Sequence, residues 1–207
     1  MKIHTLSLGV FAANCYIIET AQKNAVVIDA GDEPERVLDL LHKEGLTAKY
    51  LLFTHGHFDH VCAAGALKEA TGAKTAISEA DAWLFIDPAA LGTFFPPGIT
   101  LSGGGEPDIR LHDGDTVTLD ELTFTVKMTP GHSKGSCCFA CGATLFTGAT
   151  LFKQSIGRLD LKSASVDDMR QTLKTINEWK ENFRILPGHG PETTLNDEKR
   201  QNPYLGV

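Results

Sequence analysis

Residues 51–60 read Leu51-Leu52-Phe53-Thr54-His55-Gly56-His57-Phe58-Asp59-His60. His55, His57, Asp59 and His60 place four metal-competent side chains within six positions. Imidazole nitrogen and carboxylate oxygen are ligands that zinc accepts, alongside thiolate. The apolar run from Tyr50 to Phe53 predicts a buried strand, and the residues after His60 predict a helix. The cluster therefore sits where a strand hands over to a helix. Gly56 is expected to allow a backbone turn that most residues resist. His55 and His57 can face one way and Asp59 with His60 another, so two metal positions fit better than one. A loop rich in histidine by accident would share the composition but not this spacing.

Upstream, Cys15-Tyr16-Ile17-Ile18-Glu19 and Ala25-Val26-Val27-Ile28-Asp29 read as two strands of a hairpin. Asp29 ends the second, either as support for a metal ligand or as turn chemistry. Val37, Leu40 and Leu41 mark a helix between Glu33 and Glu44, stopped by Gly45. Downstream, a helix is expected from Val61 to Ala70, a short strand at Lys74–Ile77, and a helix over 79–86 with Ser78 as its cap. Strand and helix alternate, which argues for a layered α/β architecture. Residues 87–109 break the rhythm with Pro, Gly and the apolar pair Phe94 and Phe95. That stretch is a substrate lid or a surface insertion.

Three further strands end in glycine-bearing turns. Thr123 to Met128 runs into Thr129-Pro130-Gly131-His132-Ser133, and Phe183 to Leu186 into Pro187-Gly188-His189-Gly190-Pro191. Gly148-Ala149-Thr150 follows a strand at Thr144–Thr147. Cys137, Cys138 and Cys141 lack a second pair to complete a zinc site and read as core residues. Ser165 and Asp168 open a helix whose buried face is predicted to be Val166, Met169, Leu173 and Ile176. The tail from Glu192 reads as short and polar.

The totals bound the rest. A chain of 207 residues suffices for one sizeable domain, so 1–207 is read as a single unit. The net charge of -7 and the absence of a basic run exclude an electrostatic footprint for nucleic acid. No apolar stretch is long enough to span a membrane, and the first residues lack a signal-peptide pattern. Five cysteines without framework spacing fit a reducing cytoplasm.

Clustered strand ends are where layered α/β folds place ligands. His55, His57 and His132 would make one site with an open fourth position, and Asp59, His60 and His189 a second. Asp59 is also the candidate catalytic residue. Two divalent ions suit hydrolysis, because bound water falls from a pKa of about 16 to roughly 7, giving hydroxide at neutral pH. No serine or cysteine nucleophile is then required. Zinc is the first expectation, while iron and manganese accept the same donors. His4 and His112 have no such context.

The motifs T-H-G-H-F-D-H, T-P-G-H-S and P-G-H-G-P, in this order, resemble the metallo-β-lactamase superfamily. The resemblance implies an αββα sandwich with a two-metal site at one edge of its sheets. Asn14-Cys15-Tyr16, Gly157-Arg158-Leu159-Asp160-Leu161, Gly190-Pro191-Glu192-Thr193 and Asn202-Pro203-Tyr204-Leu205 look like the glyoxalase II branch, in its single-domain form. That branch hydrolyses acylglutathione thioesters such as S-lactoylglutathione.

Two departures stand out. The family's metal-bridging aspartate is replaced by Ala149, which cannot coordinate, so the second ion is expected to bind more weakly. Ala149 reads either as natural drift or as an engineered substitution. The larger family members also carry a C-terminal helical domain that holds glutathione, and no such domain is read here. Lys134, Lys153 and Arg158 are then the nearest cations for an anionic substrate. Other readings implied by the resemblance are an iron persulfide dioxygenase, a β-lactam hydrolase and a metal-poor binding protein without activity. The first needs the missing carboxylate. Some members of the second dispense with it.

Overall fold

Val26, Val27 and Ile28 are all buried, as are Leu51 and Leu52. An extended strand sends such neighbours to opposite faces, so both faces of the sheet need a cover. In the computed structural model, residues 1–92 and 101–205 are described, and both covers are present. The first half runs β1 (Lys2–Leu8), β2 (Ala13–Glu19), β3 (Asn24–Ile28), α1 (Pro34–Glu44), β4 (Thr47–Leu52), α2 (Phe58–Val61), α3 (Ala64–Thr71), β5 (Lys74–Ser78), α4 (Ala82–Ile86) and β6 (Ile109–Leu111). The second runs β7 (Thr116–Leu119), β8 (Leu122–Met128), β9 (Cys137–Cys141), β10 (Thr144–Gly148), β11 (Leu151–Phe152), β12 (Ser155–Ile156), α5 (Val166–Glu178), β13 (Arg184–Pro187), β14 (Thr193–Thr194) and α6 (Leu195–Gln201). Short 3-10 turns at Glu79–Asp81 and Pro88–Leu91 flank α4.

Among the described residues, β1 to β6 form one six-stranded sheet in chain order. The second six-stranded sheet has the order β14-β13-β10-β9-β8-β7. Ile17, Val27, Leu51 and Phe53 pack with Val37 and Leu41 of α1 and Leu67 of α3. Their neighbours Tyr16, Ile18, Val26, Ile28 and Leu52 instead meet Phe124, Phe139 and Phe146 of the second sheet. Beyond it, Cys138, Leu145 and Ile185 pack on Met169, Leu173 and Ile176 of α5. The order is helix, sheet, sheet, helix, the αββα sandwich. Strands β3 to β6 are parallel, as are β10 and β13.

Several local expectations change. The helix predicted from Val61 to Ala70 starts earlier and is broken between α2 and α3. Ser78 makes no cap; its hydroxyl donates to the Gly135 carbonyl at 2.6 Å. Val166 is exposed, and Thr172 takes the buried place it was given. The tail is not merely polar: Thr194 caps α6, and Leu195 and Leu205 enter the core. β1 also went unread. The cysteines are free, and all but Cys62 are buried, which fits packing rather than cross-linking. Phe94 and Phe95 lie outside the described residues. No helix among the described residues is long and apolar enough to cross a membrane.

Candidate metal centre

His55 follows β4, His132 follows β8 and His189 follows β13, so three strand ends meet at one edge of the sandwich. A buried carboxylate joins two of these turns. Asp81 Oδ2 accepts from Gly56 N at 2.9 Å and from Ser133 Oγ at 2.5 Å, while Oδ1 accepts from Gly135 N at 2.8 Å. Burial pushes its carboxyl above the usual range against these bonds. Gly56 is required here for close approach rather than for a left-handed turn. A Cβ on it would lie 2.5 Å from Leu84 Cβ and 2.9 Å from the Asp81 carbonyl. Asp81→Asn is expected to lower stability by about 3 kcal/mol, because the amide turns an NH2 toward buried donors. Urea unfolding measures this. Loss below about 1 kcal/mol would count against the bracing role.

For every ring but His57, whose two nitrogens are both engaged, the hydrogen bonds fix which nitrogen is bare. Asp29 Oδ2 accepts the Thr54 hydroxyl at 2.7 Å, so Thr54 Oγ1 accepts from His55 Nδ1 at 3.0 Å. His55 Nε2 is left buried without a partner. The Arg158 carbonyl takes His132 Nδ1 at 2.8 Å, leaving Nε2 bare 2.8 Å from His57 Nδ1. Ser163 Oγ holds the other His57 nitrogen at 2.9 Å. The ligand atoms of His55, His57 and His132 lie within 4.8 Å of one another. Burial, aided by neighbouring imidazoles, holds His55 well below its ordinary value and brings His57 to about 3 and His132 to about 4. All three are neutral at pH 7, the form that offers a lone pair to a metal.

The second group is built the same way. Asp29 Oδ2 takes His60 Nδ1 at 3.1 Å, and the Phe11 carbonyl takes His189 Nδ1 at 3.2 Å. Two bare Nε2 atoms then face each other at 3.2 Å, with Asp59 Oδ2 at 3.3 Å from His189 and 3.7 Å from His60. With both rings neutral, three acceptors converge, and a positive charge, a proton or a metal cation, relieves that. Burial pushes Asp59 up, but His60 and His189 outweigh it and leave its carboxyl below the usual range. Burial pushes His60 down, and Asp59 and Asp29 outweigh it and leave it raised. The donor set fits a divalent cation in each group. Of the two roles open to Asp29, the structure gives it support of His60. Its left-handed backbone, φ 57°, is one that Asp tolerates better than most residues.

Both groups open into a cavity of about 430 Å³ lined by His57, Asp59, His60, His132, His189 and Ala149. The metallo-beta-lactamase superfamily model matches residues 8–193. The chain belongs to the metallo-beta-lactamase superfamily. It is 34% identical to hydroxyacylglutathione hydrolase GloC of Haemophilus influenzae over 99% of this chain and 98% of that one. Among solved structures it is similar to the BLEG-1 B3 metallo-beta-lactamase, with TM-score 0.92, 32% identity and 100% coverage of both chains. It is also similar to TTHA1623 in a di-iron-bound form, with TM-score 0.85 and 37% identity over 98% of this chain and 100% of that one.

As a member of this metal-binding hydrolase superfamily, the chain brings the six residues named from sequence together in two groups that could each hold a metal ion. Ala149, in the turn after β10, lies on the cavity wall. Of the three cations named for an anionic substrate, Arg158 lines the cavity, bonded to Asp160 through Nε at 2.6 Å and Nη2 at 2.7 Å. Lys134 and Lys153 are exposed and lie outside the lining.

Sequence reasoning missed Asp81, Thr54 and Ser163. A lone carboxylate in the apolar run from Ala80 to Phe85 was a usable signal for Asp81; the other two left none. Asn14, named only by resemblance, and Tyr16, read as a strand residue, pin the His189 turn. Asn14 Nδ2 donates to the Pro187 and Gly190 carbonyls at 2.9 Å each, and Tyr16 Oη to Pro187 at 2.7 Å.

His4 also joins Glu19 and Glu44 in a compact group. There Lys2 and Lys23 already neutralise the carboxylates, Lys2 on Glu44 at 2.7 Å and Lys23 on Glu19 at 2.6 Å.

Proposed function

We propose that this chain is a metal-dependent hydrolase of acylglutathione-type thioesters. The observation that carries this is the convergence of two three-ligand groups, each with bare lone pairs, on one cavity. His55, His57 and His132 would hold one cation, and Asp59, His60 and His189 the other, with zinc the first expectation. Divalent cations there would supply Lewis acidity and a water acidic enough to attack at neutral pH.

The protein's own contribution is orientation. The Arg158 carbonyl, Asp29 and the Phe11 carbonyl hold three ring nitrogens protonated on the far side, so that the near side stays a donor of electrons. Asp59, ionised through neutral pH, turns the attacking water by accepting one of its protons in a hydrogen bond. Likeness to GloC along the whole chain supports the thioester substrate.

A second reading, β-lactam hydrolysis, is favoured by one observation. Ala149 leaves a His/His/His and Asp/His/His set with no bridging carboxylate, and the chain is similar to a B3 lactamase. Zinc-supplemented turnover of S-lactoylglutathione is expected, with loss of at least about 100-fold in His57→Ala. Nitrocefin cleavage without thioester turnover would transfer the assignment to the second reading.

A further inference from the structure

The cavity lined by five of the six candidate ligands, His55 lying buried behind them, has a second face of a different chemistry. Phe11, Phe58, Leu91, Phe152, Ile156 and Leu161 form its apolar wall. This wall is rigidly tied to the ligands. Phe11 meets Phe58 edge to face, with ring centroids 5.4 Å apart and planes at 81°. Phe152 stands edge-on to His189 at 5.8 Å and 90°. The Phe11 carbonyl accepts from His189 Nδ1 at 3.2 Å, so the loop that carries the aromatic ring also orients a ligand.

Phe11 is 46% exposed, a large apolar side chain held at the cavity rim rather than folded into the core. Such a patch beside convergent polar groups marks a ligand surface.

The opposite chemistry is scarce. Arg158 is the one cation besides the histidines among the described lining residues, and Asp160 occupies its guanidinium through two bonds. Among the described lining residues, Ser155 and Arg158 are the ones with polar side chains apart from Asp59 and the histidines. A hydroxyl on the carbon beside the scissile carbonyl would be desolvated against this wall with few partners, and an aromatic or alkyl group would not.

We infer that, among the thioesters it accepts, the site binds an apolar, aromatic-sized acyl group more tightly than a short hydroxy acid such as lactoyl. This rests on the thioesterase reading and narrows it: the acyl end, seated between Phe11 and Phe152, is what the cavity recognises. Each methylene added against such a wall raises affinity several-fold, up to the size the cavity admits.

The test separates binding from turnover. The probes are ketones in which a methylene replaces the thioester sulfur, on one neutral N-acetylcysteamine-like carrier. Their acyl substituents are methyl, 1-hydroxyethyl, hexyl and benzyl. Calorimetry on the zinc-supplemented full chain is expected to show benzyl and hexyl binding at least about tenfold tighter than 1-hydroxyethyl. In Phe11→Ala, whose ring is half exposed on a loop and outside the three core clusters, that ratio is expected to fall below about threefold.

Equal or tighter binding of the 1-hydroxyethyl ketone would overturn the inference, as would failure of every ketone to bind or an unchanged ratio in Phe11→Ala. Turnover of the matching thioesters is measured apart. Tight, selective binding of the benzyl ketone with no thioester cleaved would remove the thioesterase reading while leaving the apolar selection in place.

Discussion

Stripping divalent metal from the protein is expected to abolish hydrolysis and to lower the melting temperature by about 10 °C. The activity loss follows from the donor arrangement. His55 Nε2 is buried without a partner, and His60 and His189 aim bare nitrogens at each other across 3.2 Å. With no cation among them, nothing in the cavity acidifies water or polarises a carbonyl.

The stability loss follows from linkage. A ligand present at about a thousand times its dissociation constant adds about 4 kcal/mol to the folded state. For a chain of this size each kcal/mol moves the midpoint by about 2–4 °C. Scanning calorimetry of chelated and zinc-reconstituted protein reads both ends. A chelated sample that melts at the same temperature and still cleaves thioester would remove the metal from the proposal.

Ala149→Asp is expected to raise both metal content and rate. Ala149 follows β10 directly on the wall of the cavity that both groups share, where the family's bridging carboxylate is expected. A methyl group there would leave each bound cation one ligand short and would withhold a negative charge that both could share. Affinity rises with the number and charge of ligands.

The second ion gains most, since Asp59, His60 and His189 offer it one carboxylate. Its affinity should rise at least about tenfold, or about 1.4 kcal/mol. Hydrolysis should rise by at least the roughly 10–100-fold that outer-sphere partners alone control. Metal analysis beside steady-state kinetics gives the comparison. Identical stoichiometry and rate in the two forms would mean that Ala149 does not stand at the bridging position.

Much of the fold was legible because both faces of its strands are buried. Val26-Val27-Ile28 and Tyr50-Leu51-Leu52-Phe53 declare themselves as strands by unbroken apolar character. β1 did not, since Lys2, His4 and Ser7 interrupt it and half its residues face outward. α6 was hidden for a different reason. Its sequence, Leu-Asn-Asp-Glu-Lys-Arg-Gln, is polar nearly throughout, and it is held by the Thr194 cap and the burial of Leu195 against α5. Val166 was assigned to a buried face by periodicity alone. Only the position of α5 on the second sheet shows that the buried stripe begins at Met169.

The six candidate ligands carried local signatures: histidine and aspartate beside glycine at the ends of apolar strands. Chemistry of that kind is written in short stretches, and a short stretch suffices to read it. The partners that aim those side chains were not readable. Asp81 lies 25 positions from Gly56 and 52 from Ser133, and Ser163 lies 106 from His57.

Residue types and their order along the chain thus determined the layered fold and the metal-binding class of side chains. Which ring nitrogen stays bare, which carboxylate braces which turn, and that Arg158 reaches the cavity while Lys134 and Lys153 do not were decided by the tertiary structure alone. Hydrogen bonds and ion pairs depend on ångström-scale positions across two sheets, and no local pattern of residues encodes such distances.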